Sequence, residues 1–214
     1  MNLDVIVIGG GLAGALTAFR FVSRGRGVCL VDDGRLDAGT RVAAGVINPI
    51  SGQRLAMPKF YEAWLPETIA AYRELEVITG RVLIKRFPAV RIFQTAAERD
   101  VWIRRSAAPV YREVVGRMFP GSPLGRRFHA PHGAGEVLGV WVVDMSGVVE
   151  ACLESRNLDV VRVDEHVGWN DVTRRDGLWH LGEVAAPWIV WCDGPNVLSS
   201  PFAREIPWEV SVGE

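Results

Sequence analysis

Residues 3–14 read Leu3-Asp4-Val5-Ile6-Val7-Ile8-Gly9-Gly10-Gly11-Leu12-Ala13-Gly14, and the fold is decided by how this stretch is read. The apolar, β-branched run up to Ile8 is what a strand buried on both faces of a parallel sheet requires. Gly9, Gly11 and Gly14 then fall in a Gly-x-Gly-x-x-Gly spacing. From Leu12 onward, Leu12, Ala15, Leu16, Phe19 and Val22 or Ser23 recur at three-to-four spacing, which predicts a helix over 12–24. Arg24-Gly25 places a cation and a cap residue where the helix dipole favours them. Val28–Val31 reads as a second buried strand, ending in Asp32-Asp33-Gly34. Strand, turn, helix and strand in this order make one βαβ unit.

The three glycines have separate physical reasons. Gly9 permits a tight turn, Gly11 lacks the Cβ that would keep a pyrophosphate from the backbone, and Gly14 lets the helix pack closely on the strand. The helix N-terminus offers free N–H groups and a partial positive charge, an anion site. Asp32, at the end of the second strand, is placed to accept the hydroxyls of an adenosine ribose and would repel a 2′-phosphate. The motif therefore predicts a bound dinucleotide and disfavours NADP. It does not separate FAD from NAD, since both use it.

Outward from this unit, residues 34–54 are small and lack a sustained period, as in a functional loop. Lys59–Thr79 predicts a helix in two pieces, broken at Pro66. Arg81–Gln94 predicts a strand interrupted at Pro88, Ala96–Ser106 and Pro109–Met118 short helices, and 119–125 a Pro/Gly-rich connection. Val137–Val143 predicts another strand and Ser146–Arg156 a capped helix. Leu158–Val163 and His166–Thr173 are strand candidates, and Arg175-Asp176-Gly177 turns into a strand over Leu178–Val184. Trp188–Trp191 closes on Cys192-Asp193-Gly194. The expected architecture is α/β: a Rossmann-like domain with a parallel sheet, split into 1–54 and 146–214, with an α+β substrate region inserted at 55–145.

Composition narrows the class. The 214 residues are 49% hydrophobic and 23% charged with a formal net charge of −1, which excludes a disordered or collagen-like chain. Only Lys59 and Lys85 among the 24 basic residues are lysines. A near-neutral balance predicts no nucleic-acid partner and no polybasic membrane binding. The apolar stretch Val5–Val22 holds four glycines and Arg20 and changes period halfway, so it predicts strand, turn and helix rather than a membrane span. Cys29, Cys152 and Cys192 are scattered, which predicts neither a disulfide framework nor a zinc site. An acid at Asp4 stands where a secretory leader would be basic, and the chain reads as cytoplasmic.

With these residues in place, Asp4–Asp33, Thr40–Arg54 and Trp188–Gly194 resemble the FAD-dependent amino-acid oxidase superfamily, which includes D-amino-acid oxidase, glycine oxidase and sarcosine oxidase. Within it, the stretch from Ala43 to Arg54, Val90–Gln94 and Glu98-x-x-x-Trp102 are similar to a bacterial subgroup of FAD-dependent oxidoreductases. The resemblance covers most of the chain and is densest before residue 60. It implies FAD, with the N–H groups of Leu12 and Ala13 on the pyrophosphate and Asp32, helped by Asp33, on the ribose. Thr40, Ala44, Gly45 and Val46 would lie along pyrophosphate and flavin ring, where small residues allow close approach. Val167 would hold the adenine edge through its backbone, and Gly194 would turn the chain under the cofactor. Arg41 departs from the family pattern, where Ser is common.

Other residues have plainer readings. His129 and His132 read as a solvated loop pair, Asp144 as a helix cap, and the tryptophans as packing. Arg54 is a candidate for a substrate carboxylate, with a surface cation as its alternative. No catalytic residue is assigned, because flavin chemistry asks the protein mainly to position and desolvate the substrate. The expected activity is hydride abstraction from an amino acid or secondary amine, a small-molecule partner, with the imine then hydrolysed. The rival readings are an NAD-dependent dehydrogenase, or a truncated, non-catalytic dinucleotide-binding chain. A tRNA-modifying oxidoreductase is lowered by the neutral charge. Family members continue beyond the stretch resembling residues 202–214 with a segment that closes over the flavin. The chain therefore reads as the N-terminal part of a flavoenzyme.

Overall fold

The structure, a computed structural model, describes residues 3–35, 39–123, 125, 128–154, 160–164 and 166–201. In chain order the strands are β1 (Val5–Ile8), β2 (Val28–Val31), β3 (Val46–Ile47), β4 (Ile84–Arg86), β5 (Ala89–Ile92), β6 (Val115–Phe119), β7 (Ala134–Val137), β8 (Trp141–Val143), β9 (Val160–Val163), β10 (Val172–Arg175), β11 (Leu178–Leu181), β12 (Val184–Ala186) and β13 (Trp188–Trp191). The helices are α1 (Leu12–Val22), α2 (Gly39–Val42), α3 (Tyr61–Thr79), α4 (Ala96–Ser106) and α5 (Met145–Glu154). The chain divides into two compact units, one of residues 1–43, 77–81 and 145–214, the other of 44–76 and 82–144.

The first unit is built on a parallel sheet in the order β13-β1-β2-β9. Val5 to Ile8 pair in register with Val28 to Val31 on one side and Trp188 to Trp191 on the other. Every residue of β1 and β2 is buried, as their uniform apolar character requires. Alternation then sorts the side chains. Val5, Val7, Val28 and Leu30 join Ala18 of α1 in one cluster, and α1 lies beside α5. Ile6, Ile8, Cys29 and Val31 face the opposite way, against Val167 and Ala186. That second face is covered by the antiparallel sheet β10-β11-β12, which contributes Val172, Leu181 and Val184. Helices, parallel sheet and antiparallel sheet make three layers, an α/β fold of the Rossmann type.

The second unit holds two antiparallel sheets, β3-β8-β4 and β5-β7-β6. Its core gathers Ile50, Leu55, Phe93, Trp102, Tyr111 and Val137. A Cβ on Gly135 of β7 would stand 2.3 Å from the Trp102 ring, so the indole lies directly on bare backbone there. Thr95 caps α4, its hydroxyl accepting the Glu98 N–H at 3.2 Å, and Glu98 accepts the N–H of Gln94 at 2.8 Å in return. This pair of reciprocal bonds satisfies donors at the helix start.

Several element boundaries differ from the sequence reading. Pro66 does not divide α3, which continues through it. The expected helix at 109–118 is a 3-10 turn over Pro109–Tyr111 followed by β6, the missing N–H of Pro109 suiting the first position of such a turn. The expected strand over 137–143 is two strands in different sheets, separated at Gly139, whose φ is +74°. Likewise 178–184 splits at Gly182, φ +56°, into β11 and β12. His166–Thr173 is not a strand; pairing begins at Val172. The turn before β11 is as expected, with both Asp176 and Gly177 at positive φ, the type I′ geometry. The expected helix end at Arg156, the strand start at Leu158 and the stretch 202–214 lie outside the described residues.

Candidate functional site: a cavity at the carboxyl ends of the parallel strands

The glycine turn after β1 is shaped by two close approaches. Gly9 has a φ of +97°, and a Cβ there would stand 2.4 Å from the Cys192 carbonyl oxygen. A Cβ on Gly14 would stand 1.7 Å from the carbonyl oxygen of Gly9. Both residues must be glycine for α1 to start where it does. Gly11 is different: its φ is −67° and the nearest atom to a Cβ would be Thr40 Oγ1, at 3.1 Å. Packing therefore accounts for two glycines of the fingerprint and leaves the third facing open space apart from Thr40.

That space is a cavity of about 550 Å³, within the range of cofactor sites. Gly9, Gly11, Leu12 and Ala13 form its floor at the N-terminus of α1. Asp32, Asp33 and Arg35 enter from the end of β2, with Gly39 and Thr40 from α2. His166 and Val167 follow β9, and Cys192, Asp193, Gly194, Pro195 and Asn196 follow β13. The whole lining belongs to the first unit. Gly14 stands behind it, in the packing contact just described. Ala44, Gly45, Val46 and Arg54 fall in the second unit, where Val46 opens β3 and Arg54 sits in an exposed turn. The Arg54 carbonyl there accepts the Arg105 guanidinium.

Hydrogen bonds fix the polar groups. Asp32 Oδ1 accepts the Gly10 N–H at 2.9 Å, and a Cβ on Gly10 would stand 2.6 Å from the Asp32 carboxyl carbon. The second glycine of the triplet, outside the fingerprint spacing, thus lets the carboxylate lie on the turn. Thr40 Oγ1 accepts the Leu12 N–H at 3.0 Å, which leaves the hydroxyl proton of Thr40 to donate. Ala15 N–H returns to the Gly11 carbonyl, so the N–H groups of Ala13 and Gly14 have no acceptor within the helix. His166 Nδ1 lies 3.2 Å from Asp33 Oδ2. Burial pushes the Cys192 thiol up despite a bond with Thr17, which argues against a thiolate nucleophile in this wall. No group of residues suited to hold a metal occurs among the described residues.

The donor set suits a dinucleotide: N–H groups and a hydroxyl at a helix N-terminus for the pyrophosphate, and a fixed carboxylate at the end of the neighbouring strand for a ribose. Gly10, His166 and Asp193 were not singled out by sequence. Gly10 was visible in the run of three glycines, whereas nothing local marks a histidine or aspartate that the strand order brings to the same cavity.

Fold and cavity together define an α/β protein of the Rossmann type whose cavity suits a dinucleotide. The sequence model of one family, DAO, the FAD dependent oxidoreductases, matches residues 4–209, and the chain belongs to that family. Solved structures agree in fold. Glycine oxidase from Geobacillus kaustophilus superposes with a TM-score of 0.71 at 19% identity, covering 90% of this chain and 55% of that one. Iminodiacetate oxidase from Chelativorans sp. BNC1 gives 0.64 at 17%, covering 89% and 55%. L-Amino acid deaminase from Proteus myxofaciens gives 0.63 at 18%, covering 89% and 45%. The chain therefore spans about half the length of these proteins. A comparison with curated protein sequences finds no match. No helix of the described residues is long and apolar enough to cross a membrane.

Proposed function

We propose that the chain binds FAD in the cavity of its first unit and serves an oxidoreductase acting on an amino acid or secondary amine. The observation that carries this reading is the meeting of the α1 N-terminus and the Asp32 carboxylate in one cavity at the carboxyl ends of β1 and β2. Family membership supplies the flavin, and the oxidase and deaminase activities named for the solved structures supply the substrate class.

In this reading the N–H of Ala13 and the Thr40 hydroxyl hold the pyrophosphate, the Leu12 N–H expected there being taken by Thr40, and the partial positive charge of the helix end stabilises it. Asp32, oriented by Gly10, accepts from the adenosine ribose, with Asp33 beside it, and Val167 meets the adenine edge. Gly11 keeps the floor low enough for the phosphates to approach. Gly194 turns the chain after β13, and Ala44, Gly45 and Val46 are assigned to the flavin on the family resemblance alone. Residues 1–54 and 146–214 act as the FAD-binding domain and 55–145 as the substrate-binding region. Arg54 is assigned to a substrate carboxylate, for which a guanidinium gives two-point recognition. Bound FAD supplies a hydride acceptor for the carbon next to the amine nitrogen, and the resulting imine is hydrolysed by water.

The test is incubation of the purified chain with FAD, or separately NADH, followed by gel filtration. Oxidised-flavin absorbance is expected to travel with the protein. A colourless protein peak after FAD incubation would overturn the reading, and retention of NADH alone would favour a nicotinamide dehydrogenase.

A further inference from the structure

One carboxylate in the cavity wall has an oxygen without a donor among the described residues. Asp32 is held by the Gly10 N–H, and Asp33 by the Arg35 N–H and His166. Asp193 follows β13 and precedes a 3-10 turn over Gly194–Ser199, a position at which aspartate commonly caps, yet its side chain makes no capping bond. Its Oδ1 is shut off from solvent and accepts no hydrogen bond from the described residues, while the residue borders the cavity. A buried carboxylate oxygen without a donor is costly and calls for an explanation. Burial pushes this carboxyl up from its ordinary value, against the opposing effects of its own N–H and His166.

The strand order says which ligand group comes near. β1, with the α1 N-terminus at its end, lies between β2 and β13. A pyrophosphate on that helix end, with its adenosine ribose at Asp32 on the β2 side, would leave the other arm of the dinucleotide to the β13 side of β1. In FAD that arm begins with the ribityl chain, a row of hydroxyl donors. No capping bond holds the Asp193 side chain in place, so turning its covered Oδ1 to an incoming hydroxyl gives up only the contact with its own N–H. We infer that Asp193 is a cofactor-binding residue that accepts hydrogen bonds from the ribityl hydroxyls of FAD, an inference that rests on the FAD reading above.

The test compares two ligands on the full chain. Dissociation constants for FAD and for ADP, which lacks the ribityl arm, are measured by calorimetry for wild type, Asp193→Ala and Asp193→Asn. Loss of a hydrogen bond to a charged acceptor is expected to weaken FAD binding by about tenfold in Asp193→Ala, with ADP affinity unchanged within about twofold. Should the alanine variant fail to fold, Asp193→Asn keeps the shape with a weaker acceptor and is expected to lose several-fold for FAD alone. Equal losses for both ligands, or no loss for FAD, would overturn the assignment while leaving FAD binding intact. Wild type that binds ADP but not FAD would overturn the FAD reading and this assignment together.

Discussion

Gly9, Gly11 and Gly14 share one fingerprint but answer different demands. A methyl group at Gly14 meets the Gly9 carbonyl oxygen at 1.7 Å, an overlap that only movement of α1 relieves. Gly14→Ala is expected to cost about 3 kcal/mol or more of stability. Gly11→Ala fits its extended backbone, with φ −67°, and is expected to change stability by under about 1 kcal/mol, yet to weaken FAD binding at least about tenfold by raising the floor under the phosphates. Urea unfolding and FAD titration of both variants check this; equal stabilities would refute the division of labour. The same contrast explains what was legible at this scale. The glycine turn lies within a few consecutive residues and Asp32 closes the next strand, so Gly9, Gly11, Leu12 and Asp32, all in the cavity lining, are visible in the sequence. Asp193 and His166 acquire their neighbours only through β13 and the loop after β9, and no local pattern records that.

Among the elements, the parallel strands and α1 were readable because their apolar periods are unbroken. The failures cluster in the second unit and the antiparallel meander, where short strands change direction at single glycines such as Gly139 and Gly182. A run such as Val137–Val143 satisfies a strand pattern from end to end, and only the backbone shows that it serves two sheets. Within that unit, α3 is tied to the start of β4 by one side chain. Glu76 Oε1 accepts the N–H groups of Leu83 at 2.7 Å and Ile84 at 3.0 Å, and Glu76 also pairs with Arg73. Burial raises its carboxyl, but the Ile84 and Leu83 N–H groups and the Arg73 guanidinium prevail and hold it below the ordinary value of 4.5. A carboxyl with a lower pKa folded than unfolded stabilises above the unfolded value, and that contribution fades as pH falls through the folded one. Wild type is therefore expected to exceed Glu76→Gln in urea midpoint at neutral pH, with the gap closing below pH 4.5. A gap that stays constant into acid would show that the charge of Glu76 is not what binds it.

Across the whole molecule, a ligand that binds only the folded chain adds its binding free energy to stability. FAD at a hundredfold its dissociation constant is expected to stabilise the chain by about 2.7 kcal/mol, read as an upward shift in thermal midpoint. NADP is expected to give no shift, because Asp32, fixed on the turn by Gly10, repels a 2′-phosphate. A shift with NADP as large as with FAD would contradict the role given to Asp32.

The pairing of β1 with β13 joins Val5 to Trp188 in register, so nearly the whole intervening chain must be made before the central strand gains its second neighbour. During synthesis at the ribosome, β1, α1 and β2 emerge early but keep one apolar strand edge open until Trp188–Trp191 arrive. Contacts so distant in sequence slow folding, and an edge exposed for that interval invites pairing with the wrong chain. The Gly9–Cys192 approach that shapes the cavity is thus among the last contacts to form, and the nascent protein has no finished binding site to offer until then.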